Sequence, residues 1–381
     1  MNNHQALTKN RISGADLSIA RTPDCGPLDV IVSPRFVGLC GTDIQAYRRA
    51  RDQKYAANVL GHEGVGVITE VGDMVENWSP GDAVVFNPVN PFSRNDVLGH
   101  SFNGLFQEHV LIENVESTSW LIHRIPAELL NPIGVLIEPV ATAIYSSEIL
   151  AGRSDKSSTV VVGDGPIALI NSIILRRFRF DSVLMIHGLS SRRFWAVGNG
   201  YFDQSDVLSG RSGAAARVLG RLGGEVANVA VICTPGEAVE QVTQAALAYL
   251  KPGGLISFVS DSVPSVISLS TGDVNVSDLR YRNYCGLPAD GYVEEFETDG
   301  GKIVGLTGQH GASSAHIQKS IDLLVENSST FNNLITDVVT LDEAPFLISE
   351  AVEWSLGKRI GKRPMKAVIE LNQDVAAGGL W

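Results

Sequence analysis

Short hydrophobic runs separated by glycine turns fill the first part of the chain. The runs DVIVSPRFVG, EGVGVITEVG, GDAVVF and FQEHVLI begin at residues 29, 63, 81 and 106. Their apolar, valine-rich composition between Gly and polar residues is typical of strands joined by tight turns. Few segments in this part have helical spacing, so it is predicted to be a β-rich domain.

The pattern changes at about residue 149, where strand-length apolar runs begin to alternate with segments of helical spacing. Strands are predicted in STVVVG, SVLMIHG, NVAVICTPG and GLISFVS, with a closing strand in KIVGLTG, and helices in PIALINSIILRRF and EAVEQVTQAALAYL. This alternation favours a parallel, doubly wound sheet and places the protein in the α/β class. The glycine- and acid-rich stretch 279–301 is predicted to be irregular, and the tail resumes a mixed pattern.

Charge and composition argue against two classes of partner. The formal net charge is −12, and no block of Lys or Arg is long enough to form a basic face for nucleic acid or an anionic membrane. No apolar run approaches the ~20 residues that span a bilayer, and the N-terminus lacks a signal-peptide pattern. The four cysteines are scattered without a C-x-x-C pair. These features predict a cytoplasmic protein.

The segment VVVGDGPIALI reads G-x-G-x-x-A directly after a predicted strand and opens a predicted helix. Gly163 permits the turn, Gly165 admits a pyrophosphate close to the backbone, and Ala168 is small enough for the helix to pack on the strand. Pro166 and Ile167 stand at the helix start, where the free N–H groups of the first turn, beginning with that of Ile167, meet the anion. The motif predicts dinucleotide binding, with a plain strand-turn-helix as the alternative.

The residues after the second predicted strand favour NADP over NAD. NAD-binding sheets usually carry Asp or Glu there to hold the ribose 2′-hydroxyl. In MIHGLSSRRF that place holds Gly188, followed by Ser190, Arg192 and Arg193. No carboxylate follows this strand, and two guanidinium groups could pair with a 2′-phosphate. NAD remains possible, and the alternative is that the arginines are merely a solvated helix start.

A second set of residues in the β-rich part has metal-ligand chemistry. Cys40 stands between two glycines, His62 and Glu63 share a glycine-rich turn, and Glu138 precedes a proline at a predicted helix start. A thiolate, an imidazole and one or two carboxylates form a mixed set that zinc accepts tetrahedrally. Each residue alone is weak evidence for a metal site. The set gains weight because its β-rich domain is predicted to be followed by a dinucleotide-binding domain.

These motifs together resemble the zinc-dependent medium-chain dehydrogenases of the alcohol, polyol and threonine dehydrogenase type. The matching segments are GLCGTD, GHEGVGVITEVGD, GDAVV, GLFQEHVLI, LIEPVATAIYS, VVVGDGPIAL and LITDVVTLDEAP with KAVIEL. The resemblance covers nearly the whole chain. It implies a GroES-like catalytic domain built from 1–148 and 309–381 around a central Rossmann domain, 149–308, and a homodimer or homotetramer.

The resemblance also implies roles for single residues in catalysis. Cys40, His62 and a carboxylate, either Glu63 or Glu138, would bind the catalytic zinc. Thr42 would hydrogen-bond the substrate oxygen.

Further roles concern residues that support the metal or contact the cofactor. Asp43 would hold His62 in position. Thr142 would lie against the nicotinamide, Thr234 near its ribose, and Lys366 near the pyrophosphate.

Two departures from the family pattern change the expectation. Many relatives bind a structural zinc with four cysteines, but 86–102 contains none, so no structural zinc is expected. Relatives often have a proton-transferring histidine three residues after the threonine, where this chain has Gln45. An amide does not titrate near neutral pH, so the proton must leave by another route.

The expected reaction is reversible hydride transfer between NAD(P) and a carbinol or carbonyl carbon, with zinc as a Lewis acid. Polyols, sugars, cyclitols and amino alcohols remain open as substrates. One alternative is a zinc-free quinone or enoyl reductase of the same superfamily. The other is a catalytically idle nucleotide-binding protein, for which Gln45 is the only sequence feature.

Overall fold

The chain forms two compact units in the computed structural model, which describes residues 3–10, 14–49, 56–210, 212–260, 264–358 and 363–374. Unit 1 comprises Met1–Pro139 and Ile317–Trp381, and unit 2 comprises Val140–His316. The domain ranges predicted from the sequence lie within about ten residues of these bounds. The assignment of these ranges as a catalytic domain and a Rossmann domain stays a prediction.

The elements follow in chain order. The first group is β1 (Asn3–Asn10), β2 (Gly14–Arg21), β3 (Val30–Gly38), α1 (Gly41–Arg48), β4 (Glu63–Val71), β5 (Ala83–Phe86), β6 (Val110–Ile112) and β7 (Ile122–Arg124). The middle group is α2 (Ile137–Arg153), β8 (Ser158–Val162), α3 (Pro166–Arg177), β9 (Ser182–His187), α4 (Ser190–Gly198), β10 (Val207–Ser209), α5 (Ala214–Arg221), β11 (Ala227–Ile232), α6 (Val239–Tyr249), β12 (Leu250–Phe258), β13 (Val266–Leu269), β14 (Gly272–Asn275), α7 (Val276–Tyr281), β15 (Glu294–Glu297) and β16 (Ile303–Gly308). The last group is α8 (Ser314–Asn332), β17 (Ile335–Thr340), α9 (Ala344–Ser355) and β18 (Lys366–Glu370).

Unit 1 is built on a mainly antiparallel sheet of order β17-β18-β3-β4-β5-β7, with β6 also paired to β3. Strands β3 and β4 run antiparallel with Gly38 opposite Glu63, and β18 pairs along the other side of β3. Nearly every residue of β3 is buried, as its apolar composition predicts. The predicted β-rich character of this part is confirmed.

Unit 2 contains the predicted doubly wound sheet, of order β10-β9-β8-β11-β12-β16-β15. The first six strands run parallel, and the order reverses direction between β8 and β11. This is the strand order of dinucleotide-binding folds, whose ligands bind outside the carboxyl ends of the strands at the reversal. All residues of β8 and β11 are buried, which explains their mainly apolar composition.

Some elements were not predicted. Helix α1 lies in the part expected to have few helices, and its first turn is stabilised because Asp43 Oδ2 accepts a hydrogen bond from the Cys40 N–H at 2.9 Å. Strand β15 crosses the stretch expected to be irregular, where its sequence EEFE lacks strand-like composition. It exists because it pairs antiparallel with β16.

One helical stretch, Pro132–Arg153, is long and apolar enough to cross a membrane. Most of this stretch is buried inside the protein, as in the core helix of a globular domain. By length and composition alone, this stretch is weak evidence for a membrane span.

Candidate metal and nucleotide sites

Three of the predicted metal ligands come together in unit 1. Cys40 caps the start of α1, His62 directly precedes β4, and Glu63 is its first residue. One ligand atom of each lies within 4.8 Å of the other two. His62 and Glu63 are buried, and Cys40 is half-buried. The cluster arises because the strand pair β3–β4 brings the start of α1 beside the start of β4.

Asp43 holds this cluster in position. Its side chain is 1% exposed, and Oδ1 lies 3.4 Å from His62 Nδ1. The same carboxylate accepts hydrogen bonds from the backbone N–H groups of Cys40, at 2.9 Å, and Gly61, at 3.2 Å. A carboxylate on one imidazole nitrogen fixes the ring and leaves the other nitrogen for a metal. That nitrogen, His62 Nε2, lies 3.5 Å from Thr42 Oγ1.

The charges of the cluster shift the pKa values of its members. Burial by itself would raise the pKa of Cys40, but the hydrogen bond and charge of His62, with the Lys366 ammonium, bring it down to about 7. Burial would lower the pKa of His62, yet Asp43 and Cys40 hold it well above its usual value. Burial raises the pKa of Glu138 to about 7, with His62 acting in the opposite direction. A substantial fraction of Cys40 is therefore ionised at neutral pH to the thiolate, the form that binds a metal.

Lys366 lies in the same cluster, as an ion-pair partner of Glu63 with both side chains buried. Space for the pair exists because residue 38 is glycine: a Cβ there would stand 2.7 Å from Lys366 Cε and 2.9 Å from Glu63 Oε2. The family resemblance implied Lys366 as a pyrophosphate contact, and that contact stays a prediction. In the structure the Lys366 ammonium pairs with a carboxylate within unit 1, because β18 lies beside β3.

The donor set fits a zinc ion. It offers sulfur, nitrogen and oxygen ligands, and Asp43 Oδ1, 3.4 Å from His62 Nδ1, lies on the side of the ring where a carboxylate orients a ligating histidine. Sequence reasoning missed His100, whose ring centroid is 4.9 Å from that of His62 at an angle of 76°. The segment 86–102 is distinguished in the sequence only by its lack of cysteines, and no motif in it marks His100 as a site residue.

We expect metal-free protein to react with iodoacetamide first at Cys40. The thiolate is the nucleophile, so the rate should reach half its maximum near pH 7, where the Cys40 pKa lies. Cys285 is the internal control, because burial raises its pKa to about 12. Mass spectrometry of tryptic peptides gives both rates. A Cys40 rate that still climbs between pH 8 and 9 would contradict the predicted environment.

The predicted phosphate loop joins β8 to α3 in unit 2. Gly163 has φ +142°, and a Cβ there would lie 2.7 Å from the Cys233 carbonyl oxygen, so only glycine fits. Its N–H donates to the Ile186 carbonyl at 2.9 Å, and the Cys233 N–H donates to Val162 at 2.8 Å. These contacts fix the loop at the point where the strand order reverses.

The open end of the sheet in unit 2 fits an anionic ligand. Gly165 caps α3, and Pro166 and Ile167 begin its first turn. Apart from its chain neighbours and its own helix, no atom of the described residues lies within 4 Å of a Cβ built on Gly165. The buried Thr234 Oγ1, two residues after β11, has no hydrogen-bond partner among the described residues. Backbone N–H groups and an unsatisfied hydroxyl are groups that a dinucleotide can satisfy.

A second unsatisfied atom lies after β16. Gln309 is 2% exposed, and its Oε1 has no partner among the described residues. Its amide Nε2 donates to the carbonyl oxygen of Thr142 at 3.3 Å. Sequence reasoning missed Gln309, although its place at the carboxyl end of a parallel strand was a usable signal. Thr142 itself lies in α2, within unit 2.

No carboxylate follows β9 in the sequence, but the structure brings one to the end of this strand from another loop. Asp164 Oδ2 accepts hydrogen bonds from the N–H groups of Gly188, at 2.9 Å, and Leu189, at 2.8 Å. The carboxylate comes from the phosphate loop, so a search of the residues following β9 could not find it. Of the two arginines, Arg192 is buried, with 6% exposure, and Arg193 is half-buried.

Comparison with known proteins agrees with this architecture. Residues 26–123 match the alcohol dehydrogenase GroES-like domain family. The chain is 25% identical to D-xylulose reductase from Scheffersomyces stipitis over 275 residues, covering 67% of this chain and 74% of that protein. It is 25% identical to sorbitol dehydrogenase from Gallus gallus over 296 residues, covering 74% and 82%. The structure of 2R,3R-butanediol dehydrogenase from Bacillus subtilis superposes with a TM-score of 0.69 at 19% identity, covering 97% and 100%.

A GroES-like domain and a dinucleotide-type parallel sheet in one chain define a class of oxidoreductases. The matched domain, the relatives and the fold together support an oxidoreductase of the alcohol and polyol dehydrogenase type within the medium-chain dehydrogenase/reductase superfamily. The fold class predicted from the sequence is confirmed.

Proposed function

We propose that this protein is a zinc-dependent dehydrogenase that transfers a hydride between NAD(P) and a secondary alcohol or its ketone. The observation that carries the proposal is the set Cys40, His62 and Glu63, with ligand atoms within 4.8 Å of one another and Asp43 behind the imidazole. The names of the polyol-acting relatives support a polyol, sugar, cyclitol or amino alcohol as the substrate.

Cys40 and His62 would hold the metal, with Glu63 or Glu138 as the carboxylate ligand. When bound, zinc supplies Lewis-acid activation of a substrate oxygen, and the nicotinamide supplies or accepts the hydride. Thr42, whose Oγ1 lies 3.5 Å from His62 Nε2, would share the proton of a substrate hydroxyl. Gln45 does not titrate near neutral pH, so the proton must leave by another group or by water.

The cofactor would bind to unit 2 through Gly163, Gly165, Pro166 and Ile167, with the pyrophosphate at the start of α3. Thr234 would bond the nicotinamide ribose, and Thr142 would lie against the nicotinamide. Lys366 stays a predicted pyrophosphate contact.

We propose that NADP is favoured over NAD. Ser190 opens α4, and Arg193 is a residue of its first turn. Arg192 is the weaker partner for a 2′-phosphate, because its side chain is largely buried.

A zinc-free reductase is the competing function, and one observation favours it. Lys366 already balances the charge of Glu63, so the cluster does not need a cation for that carboxylate. A panel of secondary alcohols, tested with NAD and NADP before and after removal of metal by a chelator, separates the two. Activity that is lost with the metal and returns with zinc supports the proposed function. Full activity after chelation, or reduction of quinones only, would contradict it.

We also propose a homodimer or homotetramer in the cytoplasm. If unit 2 pairs with its copy through the edge strand β15, the exposed Glu294, Glu295 and Glu297 would approach like charges. Assembly should therefore strengthen with salt, which screens this repulsion. Light scattering at micromolar concentration should give at least two chains in high salt. The mass of a single 40.8 kDa chain at every salt concentration would contradict oligomer formation.

A further inference from the structure

The carboxylate of Asp164 occupies the end of β9, where a dinucleotide-binding sheet meets the adenine ribose. Its Oδ2 accepts two backbone hydrogen bonds there, from Gly188 and Leu189. Donors at 2.9 and 2.8 Å hold the side chain in one orientation, and Leu189 is the N-cap of α4. The carboxylate therefore belongs to the ribose end of the sheet, although it comes from another loop.

The backbone of the phosphate loop aims Asp164 at this place. Gly163 is fixed in a left-handed conformation against Cys233, and its N–H is bonded to Ile186 on β9. Residue 164 consequently projects toward β9. A Cβ at Gly188 would lie 3.7 Å from Asp164 Oδ2, an ordinary contact, so the pairing does not depend on glycine at that position.

We propose that Asp164 is the residue that sets cofactor specificity, a step that rests on the proposed binding of NAD(P). A carboxylate has about four acceptor positions, and two remain after the backbone bonds to accept the ribose 2′-hydroxyl of NAD. The same negative charge repels the 2′-phosphate of NADP, whereas Arg193 attracts it. Asp164 thus keeps NAD usable and limits the NADP preference that Ser190 and Arg193 favour.

Fluorescence titration of the full-length protein with NADH and NADPH tests this assignment. The Asp164→Asn side chain keeps an oxygen for the two backbone N–H groups but lacks the charge. We expect the ratio of Kd(NADH) to Kd(NADPH) to rise about tenfold or more. Asp164→Ser serves as a second neutral variant, and thermal unfolding checks that each protein is folded. Arg193→Ala should move the ratio in the opposite direction.

The matched control is Asp181→Asn, which removes the same charge from an exposed residue at the other end of β9. This change should leave the ratio within twofold of wild type. A ratio that is equally unchanged in both neutral variants at position 164 would overturn the assignment while cofactor binding stands. Failure of the wild-type protein to bind either NADH or NADPH would overturn the proposed function as well.

Discussion

Replacement of Cys40 by serine should reduce turnover by about a thousandfold or more and leave the fold intact. The change removes the only sulfur from the donor set, and a serine hydroxyl does not ionise near neutral pH to replace it. Loss of an outer hydrogen-bond partner alone costs 10–100-fold in many metal sites, so loss of a direct ligand should cost more. Turnover and bound zinc should fall together, with little change in circular dichroism.

Cys25→Ser is the matched control for this experiment. Cys25 is also half-buried in unit 1, but its sulfur hydrogen-bonds the Asp29 carbonyl and lies outside the cluster. The turnover of Cys25→Ser should stay within about twofold of wild type, because the Cys25 sulfur is not part of the cluster. A Cys40→Ser protein that retains most of its turnover would contradict a catalytic role for the cluster.

Replacement of Lys366 by methionine should markedly destabilise the metal-free protein. Methionine keeps much of the side-chain volume, but Glu63 is left as a buried carboxylate without its cation. Breaking a buried pair in this way costs about 3–5 kcal/mol. For a unit of this size, the thermal midpoint of unit 1 should fall by roughly 6–20 °C. Differential scanning calorimetry of chelator-treated protein measures it.

The double variant Glu63→Gln with Lys366→Met tests the cause of this loss. Both charges are then absent, so the double variant should be more stable than Lys366→Met alone. Added zinc should also return stability to Lys366→Met, because a metal ion would neutralise Glu63 in place of the ammonium. A Lys366→Met protein within about 1 kcal/mol of wild type would contradict the buried ion pair.

Much of the fold could be predicted because its strands have strong local patterns. Strands β8 and β11 are buried along their whole length and are mainly apolar in composition. Strand β15 has the opposite character: its residues are mostly charged, and only its pairing with β16 creates it. Helix α1 depends on the hydrogen bond from the Cys40 N–H to Asp43, and a single capping contact leaves little trace in hydrophobic periodicity.

The candidate sites could be predicted where the chemistry lies in one short segment. Cys40, His62 and Glu63 were identified from residue type and flanking glycines, and the structure brings them together. Lys366 lies about 300 residues from its partner Glu63, and that pairing depends on strand order. Asp164 lies within the glycine motif of the sequence, but the position of its carboxylate depends on the backbone turn at Gly163. The sequence does not specify that turn in three dimensions.

X-ray absorption at the zinc edge, with zinc counted by elemental analysis, tests the central claim most directly. We predict one zinc per chain, with one sulfur ligand at about 2.3 Å and nitrogen or oxygen ligands at about 2.0–2.2 Å. Any zinc that Cys40→Ser still binds should show no sulfur contribution. Two zinc ions per chain, a shell of four sulfurs, or a bound zinc without any sulfur in the wild-type protein would contradict the metal site assigned to Cys40, His62 and a carboxylate.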